Sequence, residues 1–435
     1  MKVLFVSGEL IAGDLALRLQ AEGCDVRLYI EHPRQRSCLD GFVPKTLDWK
    51  ADLAWVGKDG LIVFDDVGFG TEQDRLRAEG FRVVGGSAGG DRLELDRTFA
   101  QQVFADCGMA HVPVHNFYTA DEAIRFVNAQ GGAWVIKQND HRSHLNYVGM
   151  LDDSRDVLGV LENYQSSGIT NLSLQRKLNG IEIGVGRYFN GTDWVGPIEL
   201  NLEHKGLMNR EIGPKTGEMG TLMWHVDSSR LFDETLAHLK DYLREVDFRG
   251  DIDINCFVEE DGCYPIEATA RFGCPSTHLQ SVLFTSRWRD LLCALADGQS
   301  FDLNVRPEYG IILTMAMPPF PYVEEIGAFS ESGSLPVLFS EDLTSDEINR
   351  LHFEGVVRKA GTFGDETHLA NGLGYALFVS GAGKSVKEAQ GATYDLARKI
   401  IIPKVMYRTD IGDRFHAGDE IRLSDLGYIE KISLI

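Results

Sequence analysis

Asp251-Ile-Asp-Ile-Asn-Cys-Phe-Val258, the turn Glu259-Glu-Asp-Gly262 and Cys263-Tyr-Pro-Ile-Glu-Ala-Thr-Ala-Arg-Phe-Gly273 form the stretch on which the fold is decided. Alternation with a period of two puts Asp251, Asp253 and Asn255 on one face of a strand. The turn brings Glu267 back on a partner strand, between the apolar Ile266 and Ala268. Oxygen ligands gathered on adjacent strands are costly unless a cation or an arginine compensates them. Hard oxygens suit Mg²⁺, which is held by one or two carboxylates plus the phosphates of a substrate. Glu267, Asp253 and Asn255 are therefore the candidate metal ligands. The same residues are equally open to a structural reading, a carboxylate face paired with Arg271 and lysines.

Upstream, residues 172–178, 182–189 and 194–202 read as successive strands. Asn179-Gly180 and Asn190-Gly191 between them are strong hairpin signals. Residues 230–246 read as one helix. An apolar strand at 133–136 ends in Lys137 and meets a polar loop carrying His141, Arg142 and His144. A lysine there could meet a polyphosphate or simply cap a solvated strand end. The glycine-rich run 203–220 could offer backbone N–H groups to an anion or serve only as a connection. Cys274 and His278 are close in sequence, but no base adjoins the thiol, and a nucleophilic pair is the weaker reading.

The N-terminal 90 residues alternate strands (2–7, 26–30, 61–64, 82–84) with helical segments, the mark of a parallel sheet. Gly8 stands alone, without a G-x-G-x-x-G fingerprint. Gly85–Gly90 read as a flexible boundary, followed by a helix with Leu95, Phe99, Val103 and Phe104 on one face. Helices at 120–130 and 386–400 and strands at 310–317 and 374–379 complete the pattern.

The chain has 435 residues, 43% hydrophobic and 25% charged, enough for several lobes around a shared core. Its formal charge of −22 argues against nonspecific nucleic-acid binding, which needs clustered Lys and Arg. No apolar run approaches the roughly 20 residues that span a bilayer, and no leader is evident, so a cytoplasmic location without membrane partners is expected. Seven scattered cysteines without a C-x-x-C pair fit a reducing compartment.

In this order, the segments resemble the ATP-grasp superfamily and, within it, glycinamide ribonucleotide synthetase. The likeness is carried by Val84-Gly-Gly-Ser87, Leu93-Glu-Leu-Asp-Arg-Thr-Phe99, Val135-Ile-Lys137, Asn179-Gly-Ile-Glu182, Glu203-His-Lys205, Gly213-Pro-Lys-Thr-Gly-Glu-Met-Gly220, Ile266-Glu267 and Ala270-Arg-Phe-Gly273, with Tyr407-Arg-Thr-Asp-Ile-Gly412 near the end. It implies an α/β and α+β multidomain protein: a Rossmann-like domain at 1–90, then an ATP-grasp core at 91–305 with a small lid lobe at about 111–178. A mixed α/β domain at 306–435 would complete the core.

The resemblance also implies ATP with Mg²⁺, or Mn²⁺ in its place. Arg97 and Lys137 would contact phosphate, Gln175, Lys177 and Leu178 would offer a hinge to adenine, and Glu182 would bind ribose. Glu267 would ligate the metal, Lys205 and Arg271 would serve catalysis, and Glu211, Gly213 and Arg271 would lie by the substrate. The chain departs from the family at Gly8–Gly13, where the N-terminal loop is reduced, and at His141–Tyr147, where a G-K-G phosphate loop is replaced. Thr269 stands for the metal-binding Asn, and Cys274 and Ser276 for the acids after F-G. The expected activity is an ADP-forming carboxylate–amine ligase acting on small molecules, as monomer or homodimer, on a substrate other than the purine enzyme's. The alternatives are phosphoribosylamine–glycine ligase itself and a non-catalytic nucleotide- or metabolite-binding homologue.

Overall fold

The computed structural model describes residues 1–138, 146–322, 335–361, 364–370 and 374–430; the expected phosphate loop with His141, Arg142 and His144 lies outside them. The N-terminal strands form a parallel sheet in the order Asp25–Ile30, Lys2–Ser7, Leu61–Phe64, Val83–Val84. Lys2–Ser7 is buried over all but its first residue and Leu61–Phe64 throughout, so both read as continuous apolar runs. Between the first two strands runs the helix Gly13–Ala21.

Gly85–Gly90 is not a loose linker. Gly85 donates its N–H to the Arg249 carbonyl (2.8 Å), and its φ of +145° is one that glycine tolerates. A Cβ there would lie 2.1 Å from the Phe64 carbonyl oxygen, so the close approach itself demands glycine. Ser87 then caps the helix Ala88–Leu95 by accepting from Gly90 N–H.

The expected helix through Leu95 and Phe104 is two. It breaks at Asp96, whose carboxylate caps Arg97–Asp106 by accepting from Phe99 N–H (3.0 Å), and Leu95 is left exposed. The break places Arg97 at the first turn of the second helix. Residues 230–246 likewise fall into three short pieces, Arg230–Glu234, Leu236–Leu239 and Lys240–Glu245. Thr235 leaves helical space there (φ −132°, ψ −90°), and its hydroxyl donates to the Leu231 carbonyl.

A second, antiparallel sheet comprises Thr170–Arg176 flanked by His115–Thr119 and Trp134–Gln138, with Tyr147–Val148 at the edge. Helices Ala120–Gln130 and Arg155–Ser166 cover it around a separate core that includes Val127, Trp134, Leu161 and Leu172. Ala120–Gln130 begins in a capping box between Thr119 and Glu122 and stops at Gly131.

The largest sheet has eight strands. Its order is Gly262–Thr269, Arg249–Glu259, Ile181–Asn190, Trp194–Glu203, Gly220–Val226, Tyr309–Ala316, Tyr375–Gly383 and Leu351–Phe353, antiparallel throughout. Distant parts of the chain thus end on one sheet, with the opening hairpin at its edge.

Candidate active site

Register across this sheet decides which side chains meet. Asn255 pairs with Glu267 on one side and Gly184 on the other, and Asp253 pairs with Thr269 and Gly186. One strand further, Gly184 faces Asn201 and Gly186 faces Glu199. The glycines make the site by leaving room: a Cβ on Gly184 would lie 2.2 Å from Asn201 Oδ1, and one on Gly186 would lie 3.1 Å from Asp253 Oδ2. The hairpin holds a bulge as well. Phe257 pairs with Tyr264 and Cys256 with Pro265, but Asn255 pairs with Glu267, so Ile266 is the extra residue. A regular ladder would have set apolar Ile266 opposite Asn255; the bulge puts a carboxylate there.

Three cations converge on Glu267 from different elements. Lys205 Nζ lies 2.7 Å from its carboxylate, 3.1 Å from that of Glu203 and 3.3 Å from that of Glu182. Arg97 reaches to 3.6 Å. Lys137, at the end of its strand, donates to Gln175 Oε1 at 2.6 Å, and the Gln175 amide donates to the Val112 carbonyl. Lys205, Arg97 and Lys137 together hold the Glu267 carboxyl well below the usual range. Burial alone would depress Lys205, but Glu203, Glu267 and Glu182 raise its ammonium well above the ordinary value. Lys137 goes the other way: burial first, then repulsion by Arg97, lowers it to about 7.

Beside Glu267, Asn255 Nδ2 donates to Glu203 (2.9 Å) and more weakly to Glu267 (3.4 Å). Asp253 accepts from Asn201 Nδ2 on Oδ2 at 3.0 Å. Asn255 Oδ1 and Asp253 Oδ1 are both buried and accept no hydrogen bond. Orphaned oxygens next to an ionised carboxylate suit a hard divalent cation, so the residues present fit Mg²⁺.

From this end a cavity of about 300 Å³ runs under the sheet face to a second wall built by Glu9, Glu218, Glu354 and Tyr375. In its floor Glu199 and Asp251 share one donor, Gln280 Nε2, at 2.7 and 3.2 Å. Burial raises Glu199 to about 8 and Asp251 to about 7, and pushes Glu218 and Asp253 well above the usual carboxylate range. Arg271 lines the cavity and is steadied by Glu94, with its Nε 3.2 Å from Glu94 Oε1; Glu94 also accepts from Ala270 N–H.

The fold therefore brings together Arg97, Lys137, Gln175, Glu182, Lys205, Asp253, Asn255, Glu267 and, deeper in, Arg271. Lys177 and Leu178 follow the strand that carries Gln175, and the Lys177 N–H is already given to the Ala133 carbonyl. Glu211 and Gly213 do not line the cavity. Glu211 instead binds Arg408, Lys215 and the Gly206 N–H, while Asp410 also holds Arg408, so the 407–412 segment clasps this loop from behind. Burial raises the Cys274 thiol well above its ordinary value, which disfavours the thiolate that a nucleophile needs. His278 approaches Glu354 (2.8 Å) and stacks on His352.

Glu199, Asn201 and Glu203 were missed, although alternation along 194–203 places them on one face. Glu218 and Glu354 carry no local signal; their place comes from tertiary packing.

This arrangement of sheets superposes on known structures over most of the chain. A phosphoribosylamine–glycine ligase from Thermotoga maritima superposes with a TM-score of 0.70 at 18% identity, covering 95% of this chain and 100% of that one. The chain has the ATP-grasp fold. The biotin carboxylase domain dimer of Hydrogenobacter thermophilus 2-oxoglutarate carboxylase, solved with MgADP and bicarbonate, has a TM-score of 0.61 at 11% identity, covering 93% of this chain and 91% of that one. By sequence, the chain is 25% identical over 353 residues to the phosphoribosylamine–glycine ligase of Halalkalibacterium halodurans, 78% of each chain. No family model matches the sequence. The ATP-grasp protein thus resembles C–N-forming ligases, and no helix among its described residues is long and apolar enough to cross a membrane.

Proposed function

We propose that the protein is an ADP-forming carboxylate–amine ligase that uses ATP with Mg²⁺ to make an amide, on a substrate pair other than that of the purine enzyme. The observation that carries this reading is the convergence of Arg97, Lys137 and Lys205 on Glu267 beside the unpartnered oxygens of Asn255 and Asp253. Arg97 and Lys137 bind phosphate oxygens. Glu267 holds the metal with Asn255, its cross-strand neighbour, and Asp253 stands next to them. The metal, when bound, neutralises phosphate charge.

A carboxylate resists nucleophiles because its carbon is shielded by negative charge. Its oxygen attacks the terminal phosphorus of ATP, and ADP leaves. The amine nitrogen then attacks the acyl carbon, the C–O bond to phosphate breaks, and the nitrogen loses a proton. Positioning and charge neutralisation supply most of the acceleration. Arg271, held by Glu94, orients the carboxylate or its phosphate.

The 25% identity to phosphoribosylamine–glycine ligases favours a second reading, that enzyme itself; rescue of a purine-requiring strain would decide for it. For the main reading, purified protein with MgATP, pooled small carboxylates and pooled amines is expected to release ADP and phosphate in step with amide. Release of AMP and pyrophosphate would overturn it.

A further inference from the structure

The cavity carries more carboxyl groups than the nucleotide end can use. Among the described residues, eight carboxylates line the cavity against two cations, Lys205 and Arg271. Both cations are engaged: Lys205 lies among Glu182, Glu203 and Glu267, and Arg271 is paired with Glu94. A metal on Glu267 and Asn255 would account for one of the eight, and Asp253 next to them for a second. Glu218 is 6% exposed, and its Oε1 is buried without a hydrogen bond; Glu354 is 4% exposed, with Oε2 in the same condition. Leu10, Tyr375 and Phe378 supply apolar surface to the same cavity.

Buried carboxylate oxygens without donors, set around an apolar strip, match a ligand with ammonium groups joined by methylenes. A phosphate-bearing amine has the wrong sign, because its dianion would enter among carboxylates with both lining cations already paired.

We propose that the acceptor is a short diamine or polyamine, with its non-reacting ammonium held by Glu218 and the acidic wall. This deepens the ligase reading and rests on it for the word acceptor. One nitrogen, as free amine, forms the C–N bond while phosphate leaves with the C–O electrons and the nitrogen gives up a proton; the other stays protonated and paired.

Calorimetry on the full chain with three probes of similar size tests the proposal: butane-1,4-diamine, butylamine and O-phosphoethanolamine. The diamine is expected to bind at least tenfold more tightly than butylamine and to weaken with added salt, while the phosphate-bearing amine shows no binding. Glu218→Gln is expected to weaken the diamine at least tenfold and butylamine less than twofold. Glu9→Gln, on an exposed loop at the same wall, should weaken the diamine severalfold and supplies the readout if Glu218→Gln does not fold. Equal affinity for diamine and butylamine, tighter binding of O-phosphoethanolamine, or diamine affinity unchanged in the folded variants would each overturn it. ADP release is measured separately. Diamine binding without ADP release in the presence of any carboxylate would sink the ligase reading and leave this site standing as a diamine site. Amide formation with a phosphate-bearing amine and no diamine binding would do the reverse.

Discussion

The two ends of the cavity are built from the same residue types on the same sheet, yet their carboxyl groups behave oppositely. At the Glu267 end three cations hold a half-buried carboxyl ionised, well below its usual range. At the floor and far wall Glu199, Asp251 and Glu218 are more deeply buried, have no free cation beside them, and are raised. Deeper burial and the lack of cationic partners both oppose charge there, while the three cations favour it at Glu267. On the proposed reading, one end receives phosphate and metal. The other holds carboxyl groups that favour the protonated form until a counter-ion arrives.

The largest effect should come from breaking the ionised end. Glu267→Gln is expected to lower ADP release by about 10³-fold, the scale for removing a group that stabilises transition-state charge. The protein should stay folded, because Lys205 keeps Glu182 and Glu203 as partners. Steady-state ADP release alongside a thermal melt checks this; wild-type turnover would remove Glu267 from the mechanism.

A smaller effect sharpens the comparison through pH. Lys137 is lowered to about 7 by burial and Arg97, so the free protein loses this ammonium as pH rises through 7. Nucleotide phosphate favours the charged form, so binding must recover the proton. Affinity for MgATP is then expected to fall by about tenfold per unit above pH 7. Titrations from pH 6 to 8.5 measure it, and Lys137→Met should bind more weakly at low pH with a flat profile. A wild-type profile as flat as the variant's would show that Lys137 does not meet phosphate.

Much of the ionised end was legible in the sequence, because it rests on local rules. Period-two alternation put Asp253 and Asn255 on one face, and the turn at Gly262 returned Glu267 beside them. The Ile266 bulge was not legible, since a bulge is fixed by which partners pack across the sheet, and the sequence holds only one strand at a time. The setting of Glu211 was not legible for a related reason: it sits where a motif suggests substrate, and the structure engages it with Arg408, nearly 200 positions away. Glu354 accepts from the Asp14 N–H across 340 positions, a contact with no local trace. At Asp96 the apolar spacing of Leu95 and Phe99 outweighed a capping residue that ends one helix and starts the next.

The smallest effect tests the raised end without any ligand. Glu199 stands at about 8 in the folded protein against an ordinary value of 4.5, because burial and Asp251 oppose its charge. Between those values the folded chain holds a proton that the unfolded chain releases, so this group's contribution to stability falls as pH rises from about 4.5 to about 8. Glu199→Gln removes the titration and keeps an oxygen able to accept from Gln280. Its amide N–H₂ now faces Asp251, whose carboxylate gains a donor as it ionises. In the absence of Mg²⁺ and amines the variant should be more stable than wild type at pH 8.5, with the gain shrinking toward pH 4.5. Urea unfolding at the two pH values measures it. A gain that is the same at both would mean that Glu199 is not held protonated, and that the two ends of the cavity differ less than their partners imply.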